Sequence, residues 1–93
     1  MSNRIPFNDW SRERINQGRK FCTSRHKRYS KDERVFQILP RMKWGIIRDN
    51  LYTLEGADSP EELQTVIESI MKREVPDSEL FYVHFGDYRV KGD

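Results

Sequence analysis

Apolar positions fall along this chain in short, differently spaced groups, and their spacing predicts the elements. Ile5-Pro6-Phe7 leads into a stretch where Asn8 or Asp9 can cap a helix running to Gln17, with Trp10, Arg14 and Ile15 on overlapping faces and Gly18 as its stop. Residues 21–25 read as a short strand, and His26 to Lys31, without apolar periodicity, as a solvated loop or strand end. Val35, Phe36, Ile38 and Leu39 make residues 34–39 a β-favouring segment that Pro40 closes. Ile47, Leu51 and Leu54 then recur at i, i+4 and i+7 ahead of Gly56, the pattern of a short amphipathic helix with Glu55 in its last turn.

The strongest local signal is Ser59-Pro60-Glu61-Glu62, a capping box with proline at the first helical position: the Ser59 hydroxyl accepts from the Glu62 amide and the Glu62 carboxylate reaches back. Leu63, Val66, Ile67, Ile70 and Met71 follow at helical spacing to about Arg73 and define a core face. Leu80 to Phe85 reads as the final strand, Gly86-Asp87 as a turn and Tyr88-Arg89-Val90 as a last extension. A helix, two or three strands, two helices and one or two strands, in one domain over residues 1–93, suit a small α+β fold with a mostly antiparallel sheet. This order excludes a doubly wound parallel sheet.

Composition changes this picture in one respect. The net charge is only +2, yet residues 1–48 carry 13 Lys and Arg against 4 Asp and Glu, while residues 49–93 carry 4 against 11. Either the basic half gathers into a phosphate-attracting patch, or the two halves neutralise each other across the fold. The one cysteine, Cys22, has no partner for an intramolecular disulfide and no metal-ligand spacing around it, which predicts a reducing, cytoplasmic setting and no metal or other cofactor. The opening MSNRIPFNDW lacks an apolar targeting core, and no run approaches the roughly 18 apolar residues of a membrane span.

Candidate chemistry is concentrated in Gly18-Arg19-Lys20-Phe21-Cys22-Thr23-Ser24-Arg25. Gly18 can take a positive φ and keep Lys20 in the turn, while Thr23 and Arg25, two apart, project together from the strand. Arg25 suits bidentate contact with a phosphate or carboxylate, or else a surface ion pair. Glu55, at a helix C-terminus, opposes the macrodipole and calls for a cation, which Lys20 or Arg25 would supply. His84 reads as a cross-strand structural residue and Cys22 as a small buried hydrophobe. Within the basic run, Lys27 and Arg28 are candidate phosphate contacts and Tyr29 a candidate base-stacking surface.

The stretch Gly18-x-Lys20-x-x-Thr23-x-Arg25 resembles the signature of the ASCH domains, a superfamily with a PUA-like β-barrel. Residues 54–63, LEGADSPEEL, resemble the stretch ahead of that family's second helix, and Phe81 to Phe85 its closing strand. The resemblance spans most of the chain in the right order. It departs where only Lys31 to Gly45 is available for strands that the family usually places before the Glu-bearing helix, which implies a minimal barrel or a curved antiparallel sheet flanked by about three helices. The resemblance implies one of two activities. The first is a module binding RNA or a modified nucleoside in a pocket floored by Lys20, Thr23, Arg25 and Glu55, with Gly18, Arg19, Lys27, Arg28 and Tyr29 as further contacts. The second, after the small members that hydrolyse N4-acetylcytidine, is a metal-independent amidohydrolase with Thr23 as nucleophile, Lys20 as base and Glu55 orienting or activating water. A protein-interaction accessory domain is the third class that the charge asymmetry permits.

Overall fold

The computed structural model describes residues 3–89; Val90, read above as part of a last extension, lies outside them. The order is α1 (Asp9–Asn16), β1 (Cys22–Arg25), β2 (Val35–Ile38), β3 (Met42–Lys43), α2 (Trp44–Leu51), α3 (Pro60–Met71) and β4 (Leu80–Gly86). The architecture is α+β: three helices and an open, four-stranded antiparallel sheet. Among the described residues no helix is long and apolar enough to cross a membrane.

Every strand pairs with β4. Cys22 to Arg25 lie opposite Phe85 to Tyr82, β2 runs along Gly86 to His84, and β3 continues at Phe81 and Leu80. The short β3 has too little periodicity to be seen in the sequence, and its two residues are strand only because β4 offers them a ladder. A register shift between Val35 and Gln37 leaves Phe36 without a cross-strand partner, and its ring is 74% exposed. The β-branched and aromatic residues of β4 serve both sides of the sheet: Phe81, Val83 and His84 are all buried.

Local chemistry caps α1 and α3 at the residues the sequence points to. The Asn8 side chain accepts from the Ser11 amide at 2.9 Å, and Gly18, at φ +72, turns the chain out of α1. Ser59 caps α3 by accepting from the Glu62 amide at 3.0 Å, but the Glu62 carboxylate reaches past Ser59 to the Asp58 amide at 2.6 Å. Of the core face expected on α3, Leu63 and Ile67 are buried, whereas Ile70 is 45% exposed. Helix α2 ends earlier than its spacing predicts: Leu51 closes it, residues 52–56 are turns, and Glu55 lies in those turns instead of the helix's last turn.

Two apolar clusters fill the interior. The larger joins Trp44 and Ile47 of α2, Leu63 and Ile67 of α3, Val75, and Cys22, Phe81 and Val83 of the sheet. The smaller joins Ile5, Ile15 and Tyr88. An interaction with no sequence signature supports the second cluster. The Asp32 carboxylate accepts from the Ile5 amide at 2.8 Å and from Arg34 Nη2 at 2.7 Å, while Arg34 Nη2 also donates to the Ile5 carbonyl at 3.0 Å. Burial pushes the Asp32 carboxyl up, but the Arg34 side chain and the amides of Ile5 and Arg34 outweigh it and hold the group at about 2.

The capping geometry makes a direct prediction. Ser59→Ala removes the acceptor for the Glu62 amide and should cost about 0.5–2 kcal/mol, read by chemical denaturation; unchanged stability would contradict the cap.

Candidate functional site

The site forms where the approach to β1 meets the turn after α2. The amides of Phe21 and Cys22 both donate to the Leu54 carbonyl, at 2.7 and 3.2 Å, which fixes Lys20 beside Glu55 although 35 residues separate them. Gly56 makes this approach sterically workable. It sits at φ +97, and a Cβ there would come within 2.7 Å of Arg14 Cγ. Arg14 holds the turn from α1, donating from Nε to the Gly56 carbonyl at 3.3 Å and from Nη2 to Glu62 at 3.2 Å, with its guanidinium 4.6 Å from the Trp10 ring centre.

Lys20 Nζ donates to the Glu55 backbone carbonyl at 3.0 Å and lies 3.4 Å from its Oε1. Their side chains are only 2% and 5% exposed. The other carboxylate oxygen accepts from the Ser24 hydroxyl at 2.6 Å. Glu55 thus receives the cation its position called for, from Lys20, and a hydroxyl partner that motif reasoning did not name. Strand alternation could have found it, because a period of two runs back from Ser24 through Cys22 to Lys20.

Thr23 and Arg25 form a second arm. Arg25 Nη1 donates to Thr23 Oγ1 at 2.6 Å and to the Ser24 carbonyl at 2.9 Å, and Nη2 donates to the Pro6 carbonyl at 2.7 Å. Arg25 therefore makes no surface ion pair among the described residues; its fork is spent on a hydroxyl and two carbonyls. Thr23 Oγ1 bonds neither Lys20 nor Glu55, so the three residues expected to act together are neighbours and not one hydrogen-bonded chain. Both arms line a cavity of about 20 Å³, closed by Trp10, Ser11 and the α3 side chains Leu63, Val66, Ile67 and Ile70. That is room for about one water.

Burial, opposed by the Glu55 charge, pulls Lys20 below its ordinary value and so toward the neutral amine. Burial likewise lowers Arg25 and raises the thiol of Cys22, which is fully buried as a core residue. His84 is buried, and its Nε2 accepts the Tyr29 amide at 3.0 Å, which requires the unprotonated nitrogen there; burial lowers its affinity for a second proton. It anchors the basic loop, a structural task.

The remaining candidate residues lie elsewhere. Arg19 pairs with Asp58, and with Gly18 it borders a different hollow that includes Phe21 and Tyr52. Lys27, Arg28 and Tyr29 line a third hollow. Part of the charge asymmetry is neutralised across the fold. Arg14–Glu62, Arg19–Asp58, Lys20–Glu55 and Arg48–Asp77 join the basic half to the acidic half, whereas Lys27, Arg28 and Lys31 form no ion pair among the described residues. No group of three or more His, Cys, Asp or Glu among the described residues is arranged to hold a metal ion. In comparisons with known protein families, with curated proteins and with solved structures, the chain matches none.

Removing one member of the buried pair strands the other. Glu55→Gln should destabilise the domain by about 3–5 kcal/mol in urea unfolding, and adding Lys20→Met should restore part of the loss. Equal stability of wild type and Glu55→Gln would show that the pair is not held as described.

Proposed function

We propose that this chain is an ASCH-type, PUA-like domain that receives a modified nucleobase, free or within RNA, on Lys20, Thr23, Arg25 and Glu55. The observation that carries this reading is the burial of Lys20 and Glu55 side by side, with two hydroxyls and a guanidinium adjoining them on β1. Desolvating two ionisable groups in so small a domain costs several kcal/mol per ion before their attraction repays it, and such clusters concentrate at functional sites. The chemistry suits the edge of an acylated pyrimidine. The carboxylate accepts from a ring amine or amide N–H, and Lys20, Arg25 and the Thr23 hydroxyl donate to carbonyl oxygens. The cavity as it stands admits no base, so binding requires its lining side chains to move apart.

Binding without chemistry is favoured by the hydrogen bonds. Lys20 is engaged with Glu55, and Thr23 is held by Arg25, so no base touches the hydroxyl that would have to lose its proton. The second reading, hydrolysis of N4-acetylcytidine, is favoured by the shift of Lys20 toward the neutral amine. In it Lys20 leaves Glu55 and takes the Thr23 proton as Oγ1 attacks the acetyl carbonyl carbon. The C–N bond then breaks, the amine of cytidine departs with that proton, and water hydrolyses the acetyl-threonine to acetate.

The test mixes purified protein, with chelator present, with N4-acetylcytidine, measuring binding by calorimetry and cytidine release by chromatography. Saturable binding that falls at least tenfold in Arg25→Ala and Thr23→Ala proteins that still unfold cooperatively is the expected result. Cytidine release lost in Thr23→Ala would establish the hydrolase, and neither binding nor release would overturn both readings.

A further inference from the structure

A hollow much larger than the Lys20 cavity lies elsewhere on the molecule. A cleft of about 510 Å³, within the usual size of a small-molecule site, is walled by Phe7, Tyr29, Arg4, Arg12 and Arg34 over the buried Ile5, Ile15 and Tyr88. Its floor is the second apolar cluster, held by the Asp32–Arg34–Ile5 bonds. Phe7 meets Tyr88 edge-on at 5.0 Å, and the Arg34 guanidinium lies 5.4 and 5.6 Å from those two ring centres. Tyr29 is shared with the adjoining hollow of about 220 Å³, whose other walls include Lys27, Arg28, Ser30 and Lys31. Lys27 Nζ stands 4.9 Å from the Tyr29 ring centre.

Among the described residues no carboxylate lines either hollow. Among the described residues the side chains of Arg12, Arg28 and Lys31 make no hydrogen bond or ion pair, in a molecule where Arg14, Arg19, Arg48 and Arg73 are each matched to an acid. An aromatic compartment joined through one tyrosine to a compartment of unmatched cations has the two halves of a nucleotide's chemistry: a flat apolar base and an anionic phosphate. The backbone bond from Tyr29 to buried His84 holds the shared wall in place.

We propose that these hollows form one site for a nucleoside monophosphate unit of a single strand, with the base in the Phe7–Tyr29–Tyr88 cleft and the phosphate on Lys27, Arg28 and Lys31. The site shares with the preceding reading only that the ligand is a nucleotide. Neither hollow is lined by Lys20, Thr23 or Glu55.

Anisotropy of a fluorescein-labelled ten-nucleotide single-stranded RNA, titrated with the intact protein at several salt concentrations, tests the assignment. Tyr29→Ala should weaken binding by about five- to a hundredfold, the range expected for removing one base stack. Lys27→Glu combined with Arg28→Glu should weaken it at least tenfold and flatten the log–log salt dependence by about 0.7 for each phosphate no longer neutralised. The doubly charge-reversed variant, changed only at exposed positions, should unfold at the wild-type temperature, while Tyr29→Ala, which loses packing against the Ile5–Ile15–Tyr88 cluster, is assayed below the temperature at which it unfolds cooperatively. A free nucleoside monophosphate should displace the strand, and inorganic phosphate at the same concentration should not. Displacement by phosphate alone, indifference to Tyr29→Ala, or absence of binding would overturn the proposal. Loss of strand binding in Thr23→Ala would place the strand at the Lys20 cavity and overturn it too, while a failure to bind N4-acetylcytidine would leave it standing.

Discussion

The structure depends on β4 being a partner for everything else. Three strands pair with Leu80 to Gly86 and none pairs with another, so the sheet exists only while this one segment is extended and buried. Its own side chains secure that state. Phe81 meets Trp44 edge-on at 5.5 Å and stacks against His26 at 4.4 Å, and Val83 lies at the centre of the larger core. The register follows from it. With Thr23 opposite His84 and Ser24 opposite Val83, β1 can present its polar residues only beside the turn after α2. A one-residue slip would turn Ser24 away from Glu55 and Cys22 away from the larger core.

Given that register, the polar cluster is a balance between desolvation and attraction. Lys20 and Glu55 each lose water, and what they regain comes from each other, from the Glu55 carbonyl and from Ser24. Arg25 connects this cluster to the aromatic cleft. Its guanidinium holds Thr23 on one side and the Pro6 carbonyl on the other, 5.5 Å from the Phe7 ring centre. A ligand that drew Arg25 away would release Thr23 and Pro6 together.

Those parts of this arrangement that are decided within about four residues were legible in the sequence. Asn8, Gly18 and Ser59 are each read from their neighbours because caps and left-handed turns satisfy local amides. The meeting of Lys20 and Glu55 was legible as a motif with two halves, and the unfavourable position of Glu55 near a helix end pointed to a cation. What the sequence did not reveal is what long-range pairing creates. Met42 and Lys43 are strand only because of β4, and Asp32, Arg34 and Ile5 look like ordinary loop and strand residues until the fold brings them together. The end of α2 departs from its apolar spacing, which Leu54 continues, because the chain must unwind after Leu51 for the Leu54 carbonyl to reach the amides of Phe21 and Cys22. The charge asymmetry was visible, but its division between ion pairs and the bare loop at residues 27–31 depends on which side chains the fold places in reach.

The central claim is that Lys20 is a desolvated lysine held against Glu55, and its titration tests this most directly. Lysine side-chain NMR, with Lys20 assigned by its absence from a Lys20→Arg protein, should show it losing its proton below the roughly 10.4 of a solvated lysine. In the interval between that lowered value and the unfolded one, the unfolded chain binds more protons, so stability should rise with pH there. A Lys20 that titrates at or above the solvated value would contradict the account.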